Sequence, residues 1–212
     1  MSTKPDPYAI VPEAEVQRLM DSASPLQLQG WDRLQWIAQT DKLDAIRIYA
    51  KLGLHPILLH GIAADGSCTC GRPGCGAAGK HPVAQGWQSA ALDVPALLAG
   101  LEKDWRLNVG LRMGPQPGGF DVIAIDVDGA LELLAPLEAE HGKLPQTLTA
   151  KTAKGFHLLF RVSDSANFGN AVRIAPGIDV RSRGGQIVVG PSRHASGATY
   201  RWVNCQEPAV LP

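Results

Sequence analysis

The run Ile123-Ala124-Ile125-Asp126-Val127-Asp128-Gly129 limits what this chain can fold into more than any other stretch. A short apolar run of this kind reads as a strand, and a strand sends successive side chains to opposite faces. Asp126 and Asp128 therefore share one face while Ile125 and Val127 share the other. Gly129 ends the strand and leaves the acidic pair at its exposed C-terminal end. Two ionised carboxylates side by side repel unless a cation lies between them, and hard oxygen ligands suit Mg²⁺ or Mn²⁺. A D-x-D also recurs in nucleotidyl transferases, some glycosyltransferases, nucleases and plain surface turns, so alone it leaves metal binding open.

Three downstream stretches add partners to that pair. Lys154-Gly155-Phe156-His157-Leu158-Leu159-Phe160 puts a histidine at the head of an apolar strand just after a glycine turn. His157 taken singly also reads as a core histidine satisfied by a hydrogen bond. Gly177-Ile178-Asp179-Val180-Arg181-Ser182-Arg183 supplies a third acid, with Arg181 and Arg183 on the same face as Asp179 if the strand continues that far. Asp179 capping a turn and solvated arginines are the alternative reading. Gln186-Ile187-Val188-Val189 is then a buried strand that ends at Ser192 and Arg193, polar groups able to reach phosphate.

Charge follows the same order along the chain. The 212 residues carry 20 basic and 20 acidic side chains, so bulk charge names no partner. Residues 121–142 nevertheless hold six acids and no Lys or Arg, whereas residues 143–203 hold nine bases against Asp164 and Asp179. An acidic spot beside a basic field suits a metal site that serves a polyanionic substrate; two ordinary solvated faces would carry the same pattern. At 45% hydrophobic the chain has enough apolar matter for a core. No run approaches the ~18 apolar residues of a membrane span, and residues 1–9 lack a basic-then-apolar leader. No membrane partner and a reducing cytoplasm are therefore expected.

Cys68, Cys70, Cys75 and His81 form a C-x-C-x4-C-x5-H pattern threaded through Gly66, Gly71, Gly74, Gly76 and Gly79. Three thiolates and an imidazole complete a tetrahedral zinc shell, and the glycines let a short loop fold back on itself. A closed four-ligand set reads as structural zinc, since a catalytic zinc keeps one position open for water. A disulfide would be unusual in a reducing compartment and would leave an odd cysteine. Cys205 is too remote to be needed, and His60 is a possible substitute for His81.

The remaining pattern predicts an α+β (mixed) chain. Helices are expected from Pro12, at 43–50 with Gly53 as the stop, from Asp93 and Pro95, and at 131–141 with an interruption at Pro136. Strands are expected at 55–60, 108–113, 121–128, 148–151, 157–162, 178–181 and 186–189. Trp87, Trp105 and Trp202 read as core or edge packing.

This ordered set resembles the bifunctional primase–polymerase (prim-pol) domain of the archaeo-eukaryotic primase superfamily, found in plasmid and phage replication proteins. The resemblance spans residues 45–203. It rests on Gly79-Lys80-His81-Pro82, the strand at 108–114, the D-x-D, the His157 strand and Ile178-Asp179-Val180-Arg181. It implies an RRM-like catalytic β-sheet with flanking helices joined to a smaller α/β portion, with the site in the cleft between them. It implies that Asp126, Asp128 and Asp179 bind two Mg²⁺ or Mn²⁺ ions. His157 would contact the phosphates of an incoming nucleotide, helped by Arg181, Arg183, Lys154 and Ser192. The family usually has a more glycine- or serine-rich turn before this histidine; here Thr152-Ala153-Lys154-Gly155 stands there, and Lys154 offers a phosphate contact instead. The family's zinc elements vary, so the role of Cys68–His81 does not transfer from it.

The expected domains are an N-terminal helical segment at 1–44, a catalytic domain at 45–205 with its zinc loop at 66–82, and a tail or linker start at 206–212. The expected activity is DNA-dependent primase–polymerase, a nucleotidyltransferase acting on template, primer and nucleoside triphosphates, with a helicase in cis or in trans as a possible partner. A metal-dependent nuclease and a non-catalytic zinc-containing DNA-binding module are the rival readings.

Overall fold

The computed structural model describes residues 30–36, 41–165 and 168–212. The helix expected from Pro12 lies outside them. Helix α1 (Lys42–Lys51) begins where Asp41 Oδ1 accepts the Asp44 N–H at 2.8 Å, satisfying one of the donors a helix start leaves open. It stops at Leu52, and Gly53 at φ +75° turns the chain away. Helix α2 (Val94–Lys103) starts the same way, with Asp93 Oδ1 accepting the Ala96 N–H at 3.0 Å and a proline in the first turn. The 131–141 stretch breaks at Pro136 as expected, into a 3₁₀ turn (Leu131–Leu134) and helix α3 (Ala135–His141).

The strands form two sheets. Strands β1 (Pro56–Leu59), β2 (Asn108–Arg112) and β9 (Gln186–Val188) make a small antiparallel sheet in the order β1-β2-β9. The large sheet runs β10 (Arg201–Trp202), β5 (Leu148–Lys151), β6 (Phe156–Val162), β4 (Asp121–Val127), β8 (Ile178–Arg181), β7 (Ala171–Ala175), with antiparallel neighbours. Strand β3 (Gly114–Pro115) adds to β4, and β11 (Ala209–Val210) pairs parallel with β6.

Period-two alternation in β4 decides what each face meets. Val122 and Ala124 join Leu159, Leu148, helices α1 and α2 and strand β2 in the main core. Ile123, Ile125 and Val127 face the other way, onto Leu134, Leu158, Phe160 and Ile178. Asp126 and His157 share the parity of Val122 and Leu159, so they stand on the face that looks toward the small sheet. Tyr49 ties the layers together: its hydroxyl donates to Gly190 O at 2.6 Å and accepts from Trp202 Nε1 at 2.9 Å.

Three expectations change. Helix α1 runs across the boundary expected at 44/45, because Ala45, Ile46 and Tyr49 are needed in the main core. The stretch expected as a tail carries β11, held where Leu211 N–H donates to Arg161 O at 2.9 Å and Ala209 and Leu211 pack on the second core. Trp105 is 76% exposed rather than packed, with the Lys42 ammonium 5.8 Å from its ring centroid. Trp87 and Trp202 do pack, each partly buried against a core cluster.

His55 links the fold to pH. It is buried, its Nδ1 has no hydrogen-bond partner among the described residues, and burial with the Arg112 charge pushes its pKa down to about 4. The unfolded chain therefore takes up this proton first, near pH ~6.5, so stability is lost as pH falls from there toward about 4. A lower urea midpoint at pH 5 than at pH 7.5 is expected. The difference should shrink in His55→Gln, which carries no titrating ring.

Candidate active site

Strand register lines up the chemistry. Asp126 lies opposite His157 on β6 and opposite Asp179 on β8, so one row across three strands reads His157, Asp126, Asp179. Directly opposed side chains in antiparallel strands sit ~4.5–5.5 Å apart at Cβ. His157 Nε2 is 3.4 Å from Asp126 Oδ1. Arg181 Nη2 lies 2.7 Å from Asp179 Oδ2 and 3.9 Å from Asp126 Oδ2, so one guanidinium compensates both carboxylates. The other Asp179 oxygen, Oδ1, accepts the Arg173 N–H at 2.7 Å. Burial pushes the Asp126 carboxyl up, but the His157 hydrogen bond and charge, with Arg181 and Lys80, outweigh it and leave the group below the usual carboxylate range.

Asp128 stands one residue past β4, exposed, with its N–H donating to Gly177 O at 2.8 Å. Burial, then the charges of Asp126 and Asp128, push the Tyr200 phenol up. The imidazole of His157 stacks on Tyr200, with ring centroids 6.2 Å apart.

The acid-bearing strand end depends on one glycine. A Cβ on Gly155 would fall 1.8 Å from Val127 O and 2.6 Å from Gly129 N, so only glycine lets the turn before His157 pass this close. Thr152 Oγ1 accepts the N–H of both Lys154 (3.2 Å) and Gly155 (2.9 Å), fixing that turn. Gly155→Ala is expected to force the backbones apart and cost about 3 kcal/mol or more, as overpacking against backbone does. Thermal unfolding, with a fall of roughly 6 °C or more expected at that cost, checks it.

Asp126 and His157 of that row line a cavity of about 480 Å³ between the two sheets, and Asp179 stands behind Arg181 rather than in the cavity wall. Its walls include Asp126, His157 and Arg181 from the large sheet, Gln186 from β9, Tyr200, and Lys80 from the cysteine loop. Lys154 is exposed, and burial followed by the charges of Lys80 and Lys154 holds the His194 imidazole below its ordinary range.

Two residues expected to face phosphate do not join the row. The chain leaves β8 after Arg181, because Ser182 is buried with its N–H on Asn170 Oδ1 at 2.8 Å. Arg183 is thereby carried to Asp121 (3.8 Å) and Asp164 (3.7 Å), away from Asp126. Ser192 is fully buried, its hydroxyl accepting from Val109 N at 2.8 Å and donating to Val109 O at 3.0 Å. Lys80 and Tyr200 entered no role in the sequence reading; Lys80 was signalled only by its place in Gly-Lys-His-Pro, and Tyr200 by nothing.

Beside the cavity, which His81 also lines, the sulfurs of Cys68, Cys70 and Cys75 and a ring nitrogen of His81 lie within 4.8 Å of one another. His81 Nε2 is 3.4 Å from Cys68 Sγ and 3.6 Å from Cys75 Sγ. A zinc tetrahedron with bonds of ~2.3 Å to sulfur and ~2.0 Å to nitrogen spaces such atoms roughly 3.5 Å apart, so the donor set fits the ion. The fourth member of the cluster is His81 rather than His60, whose ring lies against it at 4.4 Å between centroids. Cys205 packs instead against the main core.

A family model described as "Bifunctional DNA primase/polymerase, N-terminal" (Prim-Pol) matches residues 46–212. The chain belongs to the Prim-Pol family. No curated protein matches it. The match takes in α1 from Ile46 onward, both sheets, the cysteine loop and the acidic row. Prim-Pol membership carries a primase/polymerase role of the nucleotidyltransferase type, with DNA and nucleotides as the family's substrates. Among the described residues no helix is long and apolar enough to cross a membrane.

Proposed function

We propose that the chain is a DNA-dependent primase–polymerase, joining an incoming nucleotide to a primer or an initiating nucleotide in the cleft between the sheets. The observation that carries this reading is the row His157–Asp126–Asp179, whose first two members line a cavity large enough for a nucleotide. The large sheet would be the RRM-like catalytic unit, extending from α1 through β11.

Asp126, Asp128 and Asp179 fit a pair of Mg²⁺ or Mn²⁺ ions: they are hard oxygen donors, and two of them are already close enough to share the Arg181 cation. When bound, such ions activate the attacking hydroxyl and stabilise the pyrophosphate leaving group. The chain's own residues do the rest. The three carboxylates fix where positive charge sits. Arg181, relieved of neutralising them, turns its forked donors to the triphosphate, a task suited to guanidinium. His157 Nδ1 is buried without a partner among the described residues, so the imidazole would reach phosphate oxygen through its Nε2–H, the atom that now faces Asp126, and Lys154 adds charge at the mouth. Arg183 belongs to the basic field that follows the template backbone, and Ser192 drops out of the phosphate set because its hydroxyl is sealed. The Cys68–His81 set holds structural zinc.

Incubation of the protein with a primed template and Mg²⁺, with and without nucleotides, tests the reading. Primer extension that requires nucleotides is expected. Shortening of the DNA without them would mean a nuclease, and template binding without either reaction would mean a non-catalytic module. An unprimed template with labelled nucleotides asks separately whether the chain starts synthesis itself.

A further inference from the structure

The cysteine loop does more than close on a metal. Lys80 immediately precedes the ligand His81, and it lines the same cavity as Asp126, His157 and Arg181. We propose that Lys80 is a triphosphate-binding residue of this cleft and that the metal held by Cys68, Cys70, Cys75 and His81 sets its position, so that nucleotide affinity depends on the loop's metal. This rests on the nucleotidyl-transfer reading above.

The backbone around Lys80 is anchored at every step. Asn108 Nδ2 donates to Gly79 O at 2.9 Å, Gln186 Nε2 donates to Lys80 O at 2.6 Å, and His60 N–H donates to His81 O at 2.8 Å. Lys80 N–H itself donates to Ala77 O at 3.0 Å. Gly79 sits at φ +75°, and a Cβ there would come 2.9 Å from Ile62 Cδ1, so the chain enters this turn tightly against its neighbours. These bonds tie Lys80 to β9 and to the first residue of β2, both in the small sheet. The lysine thus faces the acidic row from the opposite wall.

The side chain, by contrast, is exposed, and among the described residues its ammonium has no carboxylate within 4 Å. Its charge still reaches Asp126 and His194. Arg181 is engaged by Asp179 at 2.7 Å, so Lys80 is the cation of the cavity wall with its donors uncommitted. An ammonium is a compact point charge with three donors, suited to phosphate oxygens wherever they lie within reach. The loop that presents it is rich in glycine and has no strand or helix through residues 63–81 beyond isolated bridges. Ordering such a loop costs conformational entropy that few apolar contacts repay. A metal cross-link supplies that free energy, and binding of zinc to such a set is folding free energy for the loop.

The test uses the full chain with saturating Mg²⁺ and primed template. Lys80→Ala is expected to raise KM for the incoming nucleotide about tenfold or more, the size of one lost charge-assisted contact, with kcat altered less than about threefold. Lys80→Arg should restore most of the affinity. Titration calorimetry of a nucleoside triphosphate, with Ca²⁺ in place of Mg²⁺, should show the same loss in Kd without turnover. Cys75→Ser should weaken nucleotide binding by a similar factor in the native background and add little to Lys80→Ala, because both act through one contact.

A Lys80→Ala protein with KM and Kd within twofold of native overturns the proposal, as do Lys80→Ala and Cys75→Ser effects that multiply. If Cys75→Ser does not fold, the Lys80→Ala and Lys80→Arg pair decides the role of the lysine, and nucleotide Kd of the native protein before and after zinc is stripped by a zinc-selective chelator decides the role of the metal, an unchanged Kd overturning it. A native protein that neither binds nor incorporates nucleotide overturns the nucleotidyl-transfer reading and this one together, whereas native incorporation with an unchanged Lys80→Ala overturns this one only.

Discussion

Asp126→Asn combined with Asp128→Asn is expected to reduce nucleotide incorporation to less than about a thousandth of the native rate, roughly 4 kcal/mol of lost transition-state stabilisation, while the melting temperature should move by no more than about 2 °C. The two halves of this expectation have separate causes. Activity falls because the substitutions keep shape but remove the charge that holds divalent ions, and an amide oxygen is a far weaker ligand for them. Stability hardly moves because little folding free energy resides in these carboxylates. Asp128 is exposed, and the Asp126 contact with Arg181 is 3.9 Å long. Asp126 does gain from His157 at 3.4 Å, but burial of its charge offsets part of that. Primer extension and a thermal scan on the same preparation read both halves. Synthesis persisting above a tenth of the native rate would remove the acidic row from the chemistry.

Cys75→Ser is expected to produce the second large change. Metal analysis of the native protein is expected to give one zinc per chain, and the variant less than half an equivalent. Three remaining ligands bind zinc far more weakly than four, and structural zinc sites contribute folding free energy outright. The 63–78 stretch has few alternative supports: Cys68 is buried, but the loop around it is mostly exposed and held largely by turn hydrogen bonds. A loss of about 3 kcal/mol would lower the melting temperature by roughly 6–12 °C in a chain of this size. Native protein with no bound zinc and an unshifted Cys75→Ser variant would leave the cysteine cluster without its metal.

Much of this architecture was legible because the large-sheet strands are apolar runs with glycine or asparagine turns between them. Strands β1, β2, β4, β5, β6, β8 and β9 fall where side-chain type and turn residues point. The strands that escaped are short or irregular. Strands β3, β10 and β11 are two residues each, too short for any period. Strand β7 carries a register shift, with Arg173 at φ +58°. Alternation alone gives Asp126 the face of Val122 and Ala124, whereas the register that brings His157 and Asp179 beside Asp126 is set by strand pairing that no single strand reveals. Arg183 and Ser192 were misplaced for local reasons that only packing reveals: buried Ser182 ends the alternation one residue early, and the Val109 peptide takes up the Ser192 hydroxyl. Lys80 lies 46 positions before Asp126 in the chain, and no periodicity connects residues so far apart.

The contact of Gly155 with the Val127 carbonyl has a practical bearing on transplanting this centre into other scaffolds. Without room for a methyl group, the junction works like a rivet between neighbouring strands, fixing their relative slide. A designer copying only the ionisable side chains would inherit the reagents but lose the alignment. The portable unit is the crossing itself, both backbones included.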